Sequence, residues 1–344
     1  PFYKQLYKNK KIDINKITTV VDFQKLPIIN KKDIRNNFDD FFNKNYSLLA
    51  MKMNTGGTTG SPMSFYIQKF ISRPKEKAYF DHMWSSLGYS HRDLLFSFRG
   101  KTYKSLYRYD FSKNSIDISS YHLKPEFAQS IKELFIHYRP KYITGYPSTI
   151  LQLVKLFKNM DFEIGNIKGI FLGSEHLFDV HKQEIESFFG SPTFNWYGHS
   201  ERCVLLKQNK NNYFINYDSY GFCEIINGSE ISSDAYLTGK LVVTNYHNNV
   251  MPLIRYDTGD IVTGKIMDGR VAMITKIDGR TQDFVYDSDN NPISLTALYH
   301  GQHYSAFSQI NKIQFYQNQF GKVIIKIVKN NNYNLSKEEE MLSI

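Results

Sequence analysis

Glycines, hydroxyls and carboxylates gather at four places in this 344-residue chain, and each gathering points to a chemistry. The stretch NTGGTTGSP, Asn54 to Pro62, sets three glycines beside three threonines and a serine. Glycine lets the backbone approach a ligand and reach positive φ, so several amide N–H groups can converge on one oxyanion, and the hydroxyls add donors. Phosphate is the usual occupant of such a loop. A Walker-type loop is excluded, because Ser61 and Pro62 follow Gly60 where that motif needs a lysine and a hydroxyl residue. In WYGHSE, 196 to 201, Tyr197 offers a flat face for a nucleobase, Ser200 a hydroxyl, and Glu201 a hard oxygen ligand for Mg²⁺. In RYDTGD, 255 to 260, Asp260 can accept from ribose hydroxyls, and in IDGR, 277 to 280, Arg280 can donate to ribose or phosphate. Taken singly, each has a plainer reading. Small polar clusters make exposed turns, Tyr197 suits a core, and Glu201 suits the solvated start of a helix.

The elements that must position these residues show in the apolar spacing. Phe80, Met83, Trp84 and Leu87 follow the i, i+3, i+4, i+7 pattern of a helix, as do Ile150, Leu153, Val154 and Phe157. Pro125 and Pro147 stand where first-turn prolines belong, the former ahead of Phe127, Ile131, Leu134, Phe135 and Tyr138. Between the helices, KYIT (141 to 144), IKGIFLG (167 to 173) and TFNWYG (193 to 198) read as short buried strands that end in glycine-containing turns. Strand, loop and helix in alternation is the α/β pattern, in which ligands collect at the carboxyl ends of strands; GSEHL (173 to 177) and WYGHSE occupy two such ends. From Tyr213 onward YFINY, FCEII, KLVVTNY and VAMITKI predict a β-rich sublobe. KIQFYQNQFGKVIIKIV (312 to 328) predicts a hairpin, and SKEE at Ser336 is a capping box opening a helix.

The chain is longer than one hydrophobic core usually supports, and 41% apolar and 15% aromatic residues are ample for a packed interior. No apolar run approaches the roughly 18 to 20 residues of a membrane span, and PFYKQLYKNKK is no signal peptide. A first residue other than methionine leads us to expect that the native beginning is missing. The net charge of +10 comes from 43 basic and 33 acidic residues, with lysines scattered among asparagines. Dispersed charge of this kind is not a nucleic-acid footprint, although it suits small anionic substrates. Cys203 and Cys223 form no C-x-x-C pair, which fits a reducing cytoplasm; each is read either as a free nucleophile or as a small buried apolar residue.

Taken in order, a Gly/Thr loop, an aromatic-Gly-x-[ST]-Glu, an Arg-Tyr-x-Thr-Gly-Asp and a Gly-Arg resemble the motif series of the adenylate-forming (acyl-CoA synthetase and luciferase) superfamily. More narrowly, LPIINKKDIRNNF (26 to 38) and GRTQDFVYDSDNNPISLTAL (279 to 298) are similar to stretches of the phenylacetate-CoA ligase branch and its CapK-like relatives in capsular polysaccharide gene clusters. The resemblance runs from about residue 20 to the end. It implies an α/β fold: a large multi-lobed domain over residues 1–280 with a β-rich sublobe, then the start of a small α+β domain over 281–344, with Asp283 at the hinge. It implies ATP and Mg²⁺ as cofactors, with CoA as a candidate co-substrate. Thr55, Gly56, Gly57, Thr58, Thr59 and Gly60 would wrap the β and γ phosphates. Gly173, Ser174, Glu175, Gly198 and Ser200 would line the nucleotide pocket, Tyr197 would stack on adenine, Asp260 would bind ribose, and Arg280 would contact ribose near the hinge. Glu201, Thr58 and Arg280 would form the catalytic set, Glu201 as the metal ligand, and Tyr146 of GYPST would gate the acyl pocket.

The implied reaction is activation of a carboxylic acid by ATP to an acyl-adenylate, followed by transfer to CoA, an amine or a hydroxyl, the acceptor group being carried in one version by a sugar. Two departures stand out. Ser61 replaces a lysine found in many relatives, and no late Gly-Lys segment follows Arg280 in the expected context, since Gly321 and Lys322 lie in the predicted hairpin. The late lysine is therefore expected beyond Ile344. Two alternatives keep the same pocket: an acyltransferase using a pre-activated donor, and a non-catalytic nucleotide-binding module.

Overall fold

The computed structural model describes residues 1–54, 63–99, 103, 105–227, 235–280, 284–286, 288, 292–294 and 310–329. Thr55, Gly56, Gly57, Thr58, Thr59 and Gly60, expected to form a phosphate loop, lie outside the described residues, as do Asp283, Ser336 and the side chain of Arg280. The stretch 55–62 joins β1 (Ala50–Asn54) to β2 (Ser64–Gln68), an antiparallel hairpin that closes on the pair Asn54 and Ser64.

Among the described residues, twelve strands then join one sheet. They are β3 (Leu95–Arg99), β4 (Tyr107–Asp110), β5 (Ser115–Ser119), β6 (Tyr142–Gly145), β7 (Gly169–Gly173), β8 (Thr193–Gly198), β9 (Leu205–Gln208), β10 (Phe214–Asn216), β11 (Gly221–Ile226), β12 (Ala235–Asn245), β13 (Tyr256–Met267) and β14 (Arg270–Arg280). Their order across the sheet is β11-β12-β13-β14-β10-β9-β8-β7-β6-β3-β5-β4. Two small hairpins follow, β15 (Phe284–Tyr286) with β16 (Pro292–Ser294), and β17 (Ile310–Gln319) with β18 (Lys322–Lys329).

β5, β3, β6, β7 and β8 run parallel, with β4 as an antiparallel edge. Period-two alternation splits their side chains between two cores. Phe96, Ile143, Ile170 and Leu172 belong to a core shared with the helices Pro125–Tyr138, Pro147–Lys158 and Asp179–Phe189. Leu95, Tyr142 and Phe171 face the other way, against Met83 and Trp84 of the helix Ser72–Trp84. Each such side chain removed from water contributes about 1.5–3 kcal/mol, so the apolar stripes suffice to dock helices on both faces. The helix carrying Phe80, Met83 and Trp84 ends earlier than its spacing predicts. A 3₁₀ turn over Ser85–Leu87 follows, and Gly88 at φ +77° reverses the chain.

The antiparallel strands β9 to β14 pack a separate core, joined by Phe65 and Ile67 of β2 and by Ile29 and Ile34 of the amino-terminal segment. The expected β-rich sublobe is therefore the second half of one continuous sheet. That half is curled: β14, β10 and β9 separate β13 from β8 in the ladder, yet side chains of β8 and β13 touch.

Candidate functional site

The carboxyl ends of β6, β7 and β8 bring several of the expected site residues to one edge. β6 ends at Gly145, and Tyr146, half-buried, takes the N-cap position of the helix Pro147–Lys158. β7 ends at Gly173. A Cβ there would enter the indole ring of Trp196 on the neighbouring strand, so glycine is what allows Trp196 to lie across β7. Ser174 follows in a left-handed conformation at φ +68°. Glu175 turns back to the helix start, where its two carboxylate oxygens accept from the Ser148 amide and hydroxyl, each at 3.0 Å. Its observed work is capping that helix.

β8 delivers Tyr197 and Gly198, and the connection to β9 is a tight turn in which the Arg202 amide donates to the His199 carbonyl. Ser200 is exposed at its tip. Glu201, in contrast, is only 4% exposed, and no helix starts there. The Tyr256 hydroxyl donates to its Oε1 at 2.9 Å, and His199 Nδ1 stands 3.4 Å from its Oε2. Burial alone would raise the pKa of this carboxyl. His199 and Tyr256 more than offset that, and it lies at about 2. The group is thus a buried anion. Arg202, also left-handed at φ +55°, ties the turn to Glu76 of the helix Ser72–Trp84 at 2.8 Å.

The third part comes from β13. Val242 faces Asp257 and Lys240 faces Ile261, so the single residue Leu241 opposes Thr258, Gly259 and Asp260. TGD is a bulge, with Gly259 at φ +84° supplying the conformation that other residues avoid, and bulges re-aim side chains in this way. Thr258 anchors it, donating through Oγ1 to the Leu241 carbonyl at 2.9 Å and accepting from the Asp260 amide at 3.0 Å. Asp260, buried, accepts a hydrogen bond from the Tyr197 hydroxyl. Burial and the Asp260 carboxylate both push the Tyr197 phenol far up, which keeps it a donor. RYDTGD and IDGR, which pass as turns in sequence, lie on β13 from Tyr256 onward and on β14, where Asp260 and Arg280 are register partners.

Two tyrosine–carboxylate bonds therefore cross between the same two regions. Tyr197 of β8 donates to Asp260 of β13, and Tyr256 of β13 donates to Glu201 beyond β8. Tyr256 is fully buried and was not singled out by sequence; its alternation with Thr258 and Asp260 was the available signal once the stretch is placed on a strand. Behind it, Arg255 at φ +50° forms a buried two-pronged ion pair with Glu224 of β11, at 3.0 and 2.9 Å, and also donates to the Leu26 carbonyl. The amides and carbonyls of Ile29, Arg255 and Asp257 bond in turn, so LPIIN is stitched along the start of β13.

Cys203 and Cys223 are buried, and burial drives both thiols well above their ordinary range. They are small apolar core residues rather than nucleophiles. Among the described residues, no cluster of three His, Cys, Asp or Glu could hold a metal unaided. An ionised carboxylate such as Glu201 nonetheless fits Mg²⁺, which commonly takes one or two protein carboxylates with substrate phosphates and water. No helix among the described residues is long and apolar enough to cross a membrane.

The fold is that of the adenylate-forming ligases. The whole chain superposes on 77% of a 2-hydroxyisobutyryl-CoA ligase, with a TM-score of 0.71 and 16% identity. Another structure of that enzyme, an open conformation with 2-HIB-AMP and CoA, gives 0.67 over all of this chain and 84% of its own. The o-succinylbenzoate CoA synthetase of Bacillus subtilis, in complex with its acyl-adenylate intermediate OSB-AMP, matches 85% of this chain and 62% of its own length at 0.55 and 14% identity. In sequence, the chain is 27% identical to protein CapK of Staphylococcus aureus over 96% of its own length and 74% of that protein. No family model matches the chain.

Proposed function

We propose that this chain activates a carboxylic acid with ATP, and that the convergence of Tyr197, Glu201 and Asp260 at the junction of the two halves of the sheet carries this reading. A flat aromatic ring, a buried anion and a second carboxylate stand together, which are the three group types that adenine, a metal-bound phosphate and a ribose need. In this reading Tyr197 stacks on the base, Gly173, Ser174, Gly198 and Ser200 line its pocket, Asp260 accepts the ribose hydroxyls, and Glu201 holds Mg²⁺. The metal would lower the cost of charge on the phosphates. Thr55, Gly56, Gly57, Thr58, Thr59 and Gly60 donate to the triphosphate from the β1–β2 connection, Arg280 reaches ribose, and Tyr146 gates the acyl pocket. Glu175 contributes by fixing the helix start beside Tyr146.

The substrate carboxylate oxygen attacks the α-phosphorus, the bond to the β-phosphate oxygen breaks, and pyrophosphate leaves. The acyl-adenylate then passes its acyl group to CoA, an amine or a hydroxyl, with AMP as leaving group. The named complexes of the structural relatives, with AMP-linked acyl groups and with CoA, support this order. In this reading the chain is a cytoplasmic ligase of the phenylacetate-CoA ligase branch that serves surface polysaccharide synthesis, the last in keeping with its likeness to CapK. We assign residues 1–280 to the large domain and 281–344 to the hinge, at Asp283, and the small domain. Exchange of labelled pyrophosphate into ATP, across a panel of carboxylic acids, tests the reading. Acid-dependent exchange is expected; acyl transfer from a thioester without ATP, together with no exchange for any acid, overturns it.

A further inference from the structure

Tyr256 has no place in the reading above, yet it is wholly buried, and its hydroxyl is spent on one atom, Oε1 of Glu201, at 2.9 Å. The turn that carries Glu201 is anchored on its other side by the ion pair of Arg202 with Glu76. A carboxylate fixed in this way presents its remaining oxygen in one direction. Without the Tyr256 bond, a carboxylate that water barely reaches would lose a donor and be freer to rotate toward its others.

We propose that Tyr256 is a positioning residue for the metal site: by occupying Oε1 of Glu201 it leaves Oε2, which the His199 imidazole approaches at 3.4 Å, to turn to Mg²⁺ bound with the nucleotide. The proposal rests on the ligase reading, because it takes Glu201 as the metal ligand. It makes Tyr256 and Asp260, on one strand and separated by the Thr258–Gly259 bulge, a ruler between the metal and ribose positions. Partners that orient a metal ligand through a hydrogen bond are worth roughly 10- to 100-fold in metal affinity.

The test is equilibrium binding of ATP by calorimetry, with Mg²⁺ and with chelator, which isolates the gain in ATP affinity due to the metal. Tyr256→Phe is expected to cut that gain by roughly 10- to 100-fold while ATP affinity in chelator stays unchanged. Tyr256→4-aminophenylalanine, which keeps a ring-borne N–H donor in the same shape, is expected to restore most of it, and it also serves should the phenylalanine variant fold poorly. A purely structural role would weaken binding equally with and without metal, and that outcome overturns the proposal, as does a metal-dependent gain that survives intact in Tyr256→Phe. If the unaltered protein binds ATP with no gain from Mg²⁺, the ligase reading falls and the role of Tyr256 falls with it.

Discussion

The two halves of the sheet reach order by different means. In the parallel half, β5, β6 and β7 are buried along their length, and the apolar side chains of β3, β6 and β7 alternate between two cores. Its buried polar side chains include Ser97, Ser115, Asp117, Ser119 and Thr144; Ser115 bonds to Asp117 and Thr144 to the Phe171 carbonyl, each at 2.9 Å and within the half itself. The antiparallel half carries its polar groups within the fold: the Arg255–Glu224 pair, the Thr258 anchor, and the Tyr256 and Asp260 side chains. Neither half holds all of the proposed site. The parallel half contributes Tyr197 and, just past β8, Glu201; the antiparallel half contributes their hydrogen-bond partners, and the curl over three intervening strands lets them meet. Buried polar bonds thus stay local in the parallel half, whereas in the antiparallel half they reach across to Tyr197 and Glu201.

If that division is right, breaking a polar bond in the antiparallel half should cost more than adding a methyl group in the parallel half. The largest effect is expected at Arg255. Arg255→Met leaves Glu224, 2% exposed, without its cation, and uncovering one member of a buried ion pair costs about 3–5 kcal/mol. Burial already raises the Glu224 carboxyl against the pull of Arg255, and loss of the cation leaves protonation as its only relief. Urea unfolding measures the loss. A change within 1 kcal/mol (about the size of a single ordinary hydrogen bond) would mean that the antiparallel half does not depend on this pair.

Glu201 provides the next effect, through pH. Its carboxyl falls from an ordinary value of 4.5 to about 2 in the fold, so the native state holds fewer protons than the unfolded chain between those values. The resulting stabilisation is complete above about pH 4.5 and is lost as pH falls toward 2; it amounts to about 3 kcal/mol by linkage. Glu201→Gln should therefore flatten the acid limb of a plot of thermal midpoint against pH, and in the proposed reaction it should slow adenylation by orders of magnitude. An acid limb of unchanged slope would detach Glu201 from the His199 and Tyr256 contacts.

How far this could be read from sequence follows the same division. The parallel half was legible because its signals are local: Pro125 and Pro147 open helices, Ile150 to Phe157 lines one face, and TFNWYG is a strand over the residues expected. The strand β3, LFSFR, was not singled out, although it lies at the centre of the parallel half. In the antiparallel half the strands were legible and their closure was not. Nothing local to Tyr256 indicates that a residue 55 positions earlier will accept its hydrogen bond, because that contact depends on the curl of strands that are not ladder neighbours. RYDTGD was misleading for a related reason: the glycine and aspartates that suggest a turn form a bulge within a strand. Glu201 could not be told from a solvated acid until the turn around it was seen to be closed by Arg202, His199 and Tyr256.

A smaller effect is expected where the parallel half is most tightly packed. Gly173→Ala drives a methyl group into the Trp196 indole, and overpacking of this kind costs about 1–3 kcal/mol. Combining it with Trp196→Leu should recover most of the loss, because the obstacle is the ring. If the double variant is less stable than the sum of the singles, Gly173 is needed for a backbone reason and not for the indole.

The smallest effect, and the one that bears most directly on the junction, belongs to Tyr197→Phe. The substitution keeps the aromatic face and deletes the hydroxyl that donates to Asp260. The bond lost is to a carboxylate that keeps other partners, so stability should fall by about 1.5 kcal/mol, the lower end of the range for charged acceptors. For the nucleotide the sign reverses. The Asp260 lone pairs are limited, and a ribose hydroxyl that binds there must share or displace the Tyr197 hydroxyl; removing that competitor should leave ATP binding intact or tighten it, up to about fivefold by the same hydrogen-bond scale. Tripolyphosphate, which has no ribose, should bind the variant and the unaltered protein alike. Titration of both ligands against both proteins checks this. Tighter ATP with unchanged tripolyphosphate would place the Tyr197–Asp260 bond among contacts that close the two halves together and yield to the ligand. Weaker ATP with unchanged tripolyphosphate would show instead that the hydroxyl holds Asp260 in its ribose-binding position, and the two crossed bonds would then share one aiming role.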